Sequence, residues 1–127
     1  MNLEKVVFGF FIILAMTLNF SFVYGDIDNP DHHNLIEFFC VVVVNLIATT
    51  LKLGDRSQIG ALLLATSLVA DLQLIAATVI WTFGAHVAEA GPTPEALILI
   101  VSLSAGALLS NVVSVIVVVT ETLMLRR

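Results

Sequence analysis

Four long apolar stretches constrain the fold of this chain more than any other feature of its sequence. They lie at 6–24, 35–53, 59–83 and 96–120, and each is near or above the roughly 20 residues that an α-helix needs to cross a bilayer. The composition agrees, since 59% of the residues are hydrophobic and 12% are charged, with a mean hydropathy of +1.07. The sequence therefore predicts an all-α integral membrane four-helix bundle, with 1–127 forming a single transmembrane domain.

Residues typical of helix ends flank these stretches. Where the stretches end there are three glycines, which often close helices: Gly25, Gly54 and Gly84. Where they begin there are three pairs with the spacing of an N-cap and a first-turn partner: Asn34 and Glu37, Asp55 and Gln58, Thr93 and Pro94. The helix ends that these residues predict agree with hydropathy.

The basic residues predict the orientation of the helices. The chain has five of them: Lys5, Lys52, Arg56, Arg126 and Arg127. All lie before the first stretch, around the middle loop or at the C-terminus, and the positive-inside rule therefore places both termini in the cytoplasm. The alternative is that the first stretch is a cleaved signal peptide, but its apolar run exceeds the usual roughly 7–15 residues and Glu4 makes the leader less basic.

Composition also excludes several classes of function. Five Lys or Arg against ten Asp or Glu give a net charge of -5, which leaves no basic face for nucleic acid. The single cysteine, Cys40, cannot form an intrachain disulfide or a thiolate zinc site. No catalytic triad, phosphate-binding loop or zinc-protease motif is present. We therefore predict neither an enzyme nor a cofactor.

Asp71 is the most informative single residue, because it lies near the middle of the third apolar stretch. An ionised carboxylate at that depth costs about 2.5–3.5 kcal/mol on translocon scales, and we expect no Lys or Arg at the same depth to pair with it. Asn45 and Asn111 lie at similar depth, and Ser67 precedes Asp71 by one helical turn. We predict that these four residues form an ion- or proton-linked site. The alternative is a neutral structural role, in which Asp71 and the asparagines only form hydrogen bonds between helices.

Small and polar residues recur along the third and fourth stretches at helical spacing. The third stretch has Gly60, Ser67, Asp71 and Thr78 on one face, and the fourth has Ser104, Ala107, Asn111, Ser114 and Glu121. We expect these two faces to lie against each other, with Gln73 pointing elsewhere.

A second pattern on the fourth stretch is a run of small residues at four-residue spacing. Its members are Ser102, Gly106, Ser110 and Ser114. Such small residues allow helix backbones to approach closely, so this run is a candidate helix-packing surface, either inside the bundle or against another subunit.

The loop after the first stretch is acidic and contains two histidines. Its candidate metal ligands are Asp26, Asp28, Asp31, His32 and His33. Carboxylates with imidazoles can bind divalent metals, although the spacing of an EF-hand is absent. The favoured alternative is that Asp31 and Asn34 cap the next helix while the histidines are solvated.

Three segments, GDIDNPDHHN, LKLGDRSQIGA and LLLATSLVADLQLIAA, resemble those of a family of small, uncharacterised inner-membrane proteins of proteobacteria. The resemblance covers most of the chain and implies a four-helix bundle in the bacterial inner membrane, without implying an activity. The chain lacks the early membrane glutamate of small multidrug exporters and the charge balance of dual-topology fluoride channels.

Two functions are consistent with these features. The first is an oligomeric or accessory component of a transport system for protons or monovalent cations, with Asp71 as the sensitive group. The second is a non-transporting scaffold or assembly factor that docks partner helices through the fourth span. Both predict the lipid bilayer as an environment, with further copies of the chain or a larger membrane complex as partners.

Overall fold

The structure is a computed structural model that describes residues 3–25, 34–54, 57–87 and 93–125. Within these residues four α-helices follow one another: α1 (Leu3–Val23), α2 (Leu35–Lys52), α3 (Gln58–Val87) and α4 (Pro94–Leu125). All four are long and apolar enough to cross a membrane. The predicted all-α architecture with four candidate membrane spans is therefore confirmed.

The ends of the helices agree only partly with the sequence-based expectations. Gly25 follows α1 and has a φ of 113°, the left-handed conformation in which glycine closes a helix. Gly84, in contrast, lies inside α3, which continues to Val87, so the prediction that it ends the third helix is wrong. Glycine tolerates a helix interior at a cost of about 1 kcal/mol relative to alanine, and the other residues of α3 outweigh that cost.

Two of the three predicted N-caps are confirmed. Asn34 accepts a hydrogen bond from the backbone N–H of Ile36 at 2.7 Å, and Thr93 accepts one from Ala96 at 3.2 Å. At the start of α3 the cap is Ser57, whose Oγ accepts from the Gly60 N–H at 3.0 Å. Asp55, the predicted cap, lies outside the described residues.

The helices form a ring in which each contacts its two neighbours: α1 with α2, α2 with α3, α3 with α4, and α4 with α1. Consecutive helices run antiparallel, because short connections join them. One end of the bundle, which we call the termini end, therefore contains the start of α1, the end of α2, the start of α3 and the end of α4.

The bundle has polar residues inside and apolar residues outside. Asn19, Ser104 and Ser114 are completely buried, whereas Phe39 and Leu72 expose 65% and 69% of their surface. A water-soluble bundle has the reverse arrangement, since its outward side chains are polar. The distribution is typical of a helical membrane protein, in which apolar surface faces lipid and polar side chains join the helices.

An aromatic layer closes the end of the bundle opposite the termini end. The rings of Phe22 and Phe38 lie 5.1 Å apart, and Phe38 stacks on Trp81 at 5.2 Å. These residues belong to α1, α2 and α3, so the layer joins three helices. It separates the polar interior from that end of the bundle.

Candidate functional site

Buried and half-buried polar side chains from all four helices form one connected group in the bundle, which we call the inner polar cluster. Its members are Asn19, Asn45, Thr49, Lys52, Thr66, Ser67, Asp71, Asn111 and Ser114. The four residues that the sequence singled out, Asp71, Asn45, Asn111 and Ser67, are all buried within it. Packing has therefore brought them into one region, although they do not all contact one another directly.

Three asparagines connect α2, α4 and α1 across the bundle. Asn111 Nδ2 donates to Asn45 Oδ1 at 3.0 Å, and Asn45 Nδ2 donates to the carbonyl of Val41 at 2.7 Å. In the amide orientation that its neighbours require, Asn19 Oδ1 accepts from Asn111 Nδ2 at 3.2 Å. The two hydrogens of the Asn111 amide can thus serve both neighbours at once.

Asn19 also engages the backbone of α4. In the same orientation its Nδ2 donates to the Ser104 carbonyl at 2.9 Å, and its Oδ1 accepts from the Leu108 N–H at 3.1 Å. Ser104 and Leu108 are four residues apart, so the amide lies beside one hydrogen-bonded turn of the helix.

Asp71 is linked to α2 through a threonine. Thr49 Oγ1 lies 2.5 Å from Asp71 Oδ2 and 2.9 Å from the Asn45 carbonyl oxygen. Asp71 itself is only 8% exposed, and its second oxygen, Oδ1, is buried without a hydrogen-bond partner. Thr49 therefore connects the carboxyl group on α3 to the turn of α2 that carries Asn45.

Lys52 corrects the expectation that no basic residue would lie near Asp71. Its side chain is 1% exposed, and Nζ donates to Ser67 Oγ at 2.6 Å and to Ser114 Oγ at 2.9 Å. It also lies close enough to Asp71 for the two opposite charges to attract each other. Lys52 is therefore a buried basic residue inside the bundle and not part of the loop between α2 and α3.

The predicted polar faces of α3 and α4 do lie against each other. Thr66 and Ser114 share a hydrogen bond of 2.6 Å between their hydroxyl oxygens, and Lys52 contacts both helices. The expectation that Gln73 points elsewhere is wrong. A Cβ atom on Gly106 would lie 2.4 Å from Gln73 Nε2, so the Gln73 amide rests directly on the glycine of α4.

The residues of the small-residue run on α4 differ in burial within one chain, and contact of this run with another subunit stays a prediction. Ser102 is exposed, Gly106 and Ser110 are half-buried, and Ser114 is completely buried. Each four-residue step advances by roughly 40° beyond a full turn, so Ser102 and Ser114 differ in direction by roughly 120°. Gly106 and Ser114 pack within the chain, and only Ser102 is turned fully outward.

The candidate metal ligands in the first loop lie outside the described residues. These are Asp26, Asp28, Asp31, His32 and His33. Within the part of the chain that the structure describes, no group of three or more His, Cys, Asp or Glu side chains could hold a metal ion. The loop prediction therefore stays a prediction.

Sequence reasoning missed Thr49 and Lys52, although a signal for them was present. Asn45, Thr49 and Lys52 are separated by four and three residues, a spacing that places all three on one face of a helix. The second stretch therefore carries a polar face of the same kind as those of the third and fourth stretches.

Comparison with known proteins identifies a family for the chain. A family of unknown function (DUF6394) matches residues 32–122, which is more than half of the sequence. The chain belongs to this family. No curated protein and no solved structure matches it. The DUF6394 match includes α2 and α3, nearly all of α4, and therefore the Thr49, Lys52 and Asp71 contacts, while Asn19 on α1 precedes it.

Proposed function

We propose that this DUF6394 member is a multi-pass protein of the bacterial inner membrane, with both termini in the cytoplasm, that acts as a proton-linked component of a cation transport system. The observation that carries the proposal is the Asp71 carboxyl group, buried among the helices beside the buried ammonium of Lys52. Ionisable groups inside membrane helices are costly and usually serve ion or proton movement.

The position of Lys52 favours a proton over a sodium or potassium ion as the cation that binds at Asp71. The Lys52 ammonium already donates hydrogen bonds to the hydroxyl oxygens of Ser67 and Ser114. A dehydrated sodium or potassium ion would need those same oxygens as ligands. A second cation beside Asp71 would also be repelled by that ammonium. A proton on the carboxyl group requires neither additional ligands nor additional space.

The Thr49 hydroxyl provides a way for protonation to alter the contact between α2 and α3. It has one hydrogen and two acceptors within reach, Asp71 Oδ2 at 2.5 Å and the Asn45 carbonyl at 2.9 Å. When Asp71 is ionised, the hydroxyl donates to the carboxylate. When Asp71 is protonated, its own O–H donates to Thr49, which is then free to donate to Asn45.

The change in the Thr49 hydrogen bond would affect the other helices through Asn45 and Asn111. Asn45 accepts from Asn111 at 3.0 Å, so a shift of the α2 turn that carries Asn45 changes the contact with α4. A proton on Asp71 would thereby favour one packing of α2, α3 and α4 over another, which is a population shift. Further copies of the chain or a larger transport complex would respond to that packing.

The experiment compares the wild type with Asp71→Asn, Thr49→Val and the matched control Thr50→Val. Thr50 is adjacent and exposed, and its hydroxyl donates to the Leu46 carbonyl of its own helix. Proton uptake is measured in liposomes. The midpoint of thermal unfolding in detergent is measured from about pH 5 to about pH 9.

An autonomous proton pathway would be supported if wild type and Thr50→Val conduct protons and Asp71→Asn and Thr49→Val do not. A pH-dependent midpoint without flux, changed by the same two variants, would support an accessory subunit. The same pH dependence in all four proteins, with no flux, would overturn the proposal.

Fewer residues of α4 than expected are available for the alternative function, a scaffold that docks partner helices. Docking of partner helices through α4 was expected to use four small residues, but Gly106 and Ser114 contact Gln73 and Lys52 within the chain. A scaffold would have to dock on the outward face near Ser102. It predicts that Asp71→Asn leaves both assembly and pH dependence unchanged.

A further inference from the structure

Close packing of α1 and α4 ends before the termini end of the bundle is reached. Among the described residues, α1 has no buried side chain before Ile12, and α4 has none after Ser114. A half-open cleft of ≈ 710 Å³ lies between the start of α1, the end of α2 and the end of α4.

The cleft has an apolar wall and both signs of charge. Its apolar residues are Leu3, Val7, Phe8, Leu51 and Val118, and its charged residues are Glu4 and Lys5 on α1 and Glu121 on α4. Lys5 is exposed and Glu121 is half-buried, so both charged groups are accessible to a ligand. An occupant must therefore combine a hydrocarbon portion with both a negative and a positive group.

The position of the cleft indicates where such a molecule would come from. Leu3 is the first residue of the candidate span in α1, and Met124 is the last residue of the candidate span in α4. Span ends lie where lipid headgroups meet the hydrocarbon region. The cleft is thus at headgroup depth if the bundle crosses a bilayer as proposed above.

We propose that this cleft binds one phospholipid whose zwitterionic headgroup ends in a primary ammonium group. The phosphate pairs with Lys5, the ammonium donates to the Glu121 carboxylate, and an acyl chain lies along Phe8 and Val118. An anionic lipid could also pair its phosphate with Lys5, but it has no ammonium group to place against the Glu4 and Glu121 carboxylates. A trimethylated ammonium keeps its charge but has no N–H to donate.

This inference depends on the proposed membrane location but not on proton linkage at Asp71, so Asp71→Asn should leave lipid binding unchanged. The test is native mass spectrometry of the full chain in detergent, with phosphatidylethanolamine, phosphatidylcholine or phosphatidylglycerol added at equal concentration. We expect one phosphatidylethanolamine to be retained about fivefold to tenfold more than either other lipid, the equivalent of roughly one charge-assisted hydrogen bond.

Variants locate the site. Glu121→Gln should remove the preference for phosphatidylethanolamine, Glu121→Lys should shift it to phosphatidylglycerol, and Lys5→Gln should weaken retention of all three lipids. Glu95→Gln, an exposed change in the first turn of α4 at the opposite end, is the matched control and should have no effect.

Equal retention of the three lipids would overturn the proposal, as would a preference that survives Glu121→Gln. A protein segment that occupies the cleft and excludes lipid would also overturn it. If membrane insertion itself fails, the chain will not reconstitute into vesicles at all, which separates that failure from the absence of a specific lipid site.

Discussion

Lys52 Nζ of α2 lies 2.6 Å from Ser67 Oγ of α3, inside the bundle and not in the loop that joins the two helices. The same ammonium reaches Ser114 of α4 at 2.9 Å. A single basic side chain therefore joins three helices and provides a positive charge near the Asp71 carboxyl group. The interior of the bundle therefore contains both a basic and an acidic side chain.

Replacing Lys52 should be costly unless Asp71 is replaced too. Lys52→Met keeps the length of the side chain but removes the basic group near Asp71. It also removes the Nζ hydrogen bonds to Ser67 and Ser114, and a buried polar atom left without a partner costs about 1–3 kcal/mol. The double variant Lys52→Met with Asp71→Asn should recover part of that loss. Unfolding in detergent measures both, with exposed Lys5→Met as the control. Equal stability of Lys52→Met and Lys5→Met would contradict the internal position of Lys52.

Removing the Asn111 amide should weaken two helix contacts at once. Asn111→Ala leaves Asn45 Oδ1 without its donor and removes one of the two donors to Asn19, and a buried polar atom without a partner costs about 1–3 kcal/mol. The control is Ser102→Ala, an exposed change on the same helix, which should alter the unfolding midpoint little. Similar midpoints for the two variants would show that the asparagine chain contributes no stability.

A larger residue at position 106 should act within a single chain. The Cβ of Gly106→Ala would lie 2.4 Å from Gln73 Nε2, so the amide must move, and Gly106→Leu requires a larger displacement. We expect a small loss of stability for alanine and about 1–3 kcal/mol for leucine, as overpacking generally costs. Combining either change with Gln73→Ala should restore part of the loss. A change in oligomeric mass without a change in monomer stability would instead place Gly106 at a subunit contact.

The aromatic layer allows a direct test with a neighbouring residue as control. Phe38 is 3% exposed and Phe39 is 65% exposed, so Phe38→Ala should cost about 3–5 kcal/mol and Phe39→Ala much less. The chain has one tryptophan, Trp81, which stacks on Phe38. Its fluorescence emission should change with Phe38→Ala and not with Phe39→Ala. The opposite pattern would mean that the two rings have exchanged faces.

Local features of the sequence predicted most of the helix starts correctly. Asn34 and Thr93 cap α2 and α4 because their side-chain oxygens accept hydrogen bonds from nearby N–H groups, and this requires only adjacent residues. The end of α3 was predicted less well. Gly84 follows an apolar stretch, yet the helix continues through it to Val87, since a glycine permits a helix end without enforcing one.

The sequence by itself determined the four helices, their apolar surfaces and the burial of Asp71, Asn45, Asn111 and Ser67, because these follow from hydropathy and helical spacing along each segment. Only the tertiary structure decided which atoms meet. Lys52 turns inward because α2 is rotated so that its Asn45 face lies against α3 and α4. Gln73 rests on Gly106 for a similar reason. Helix rotation about the bundle axis depends on the packing of all four surfaces together, and periodicity within one helix cannot specify it.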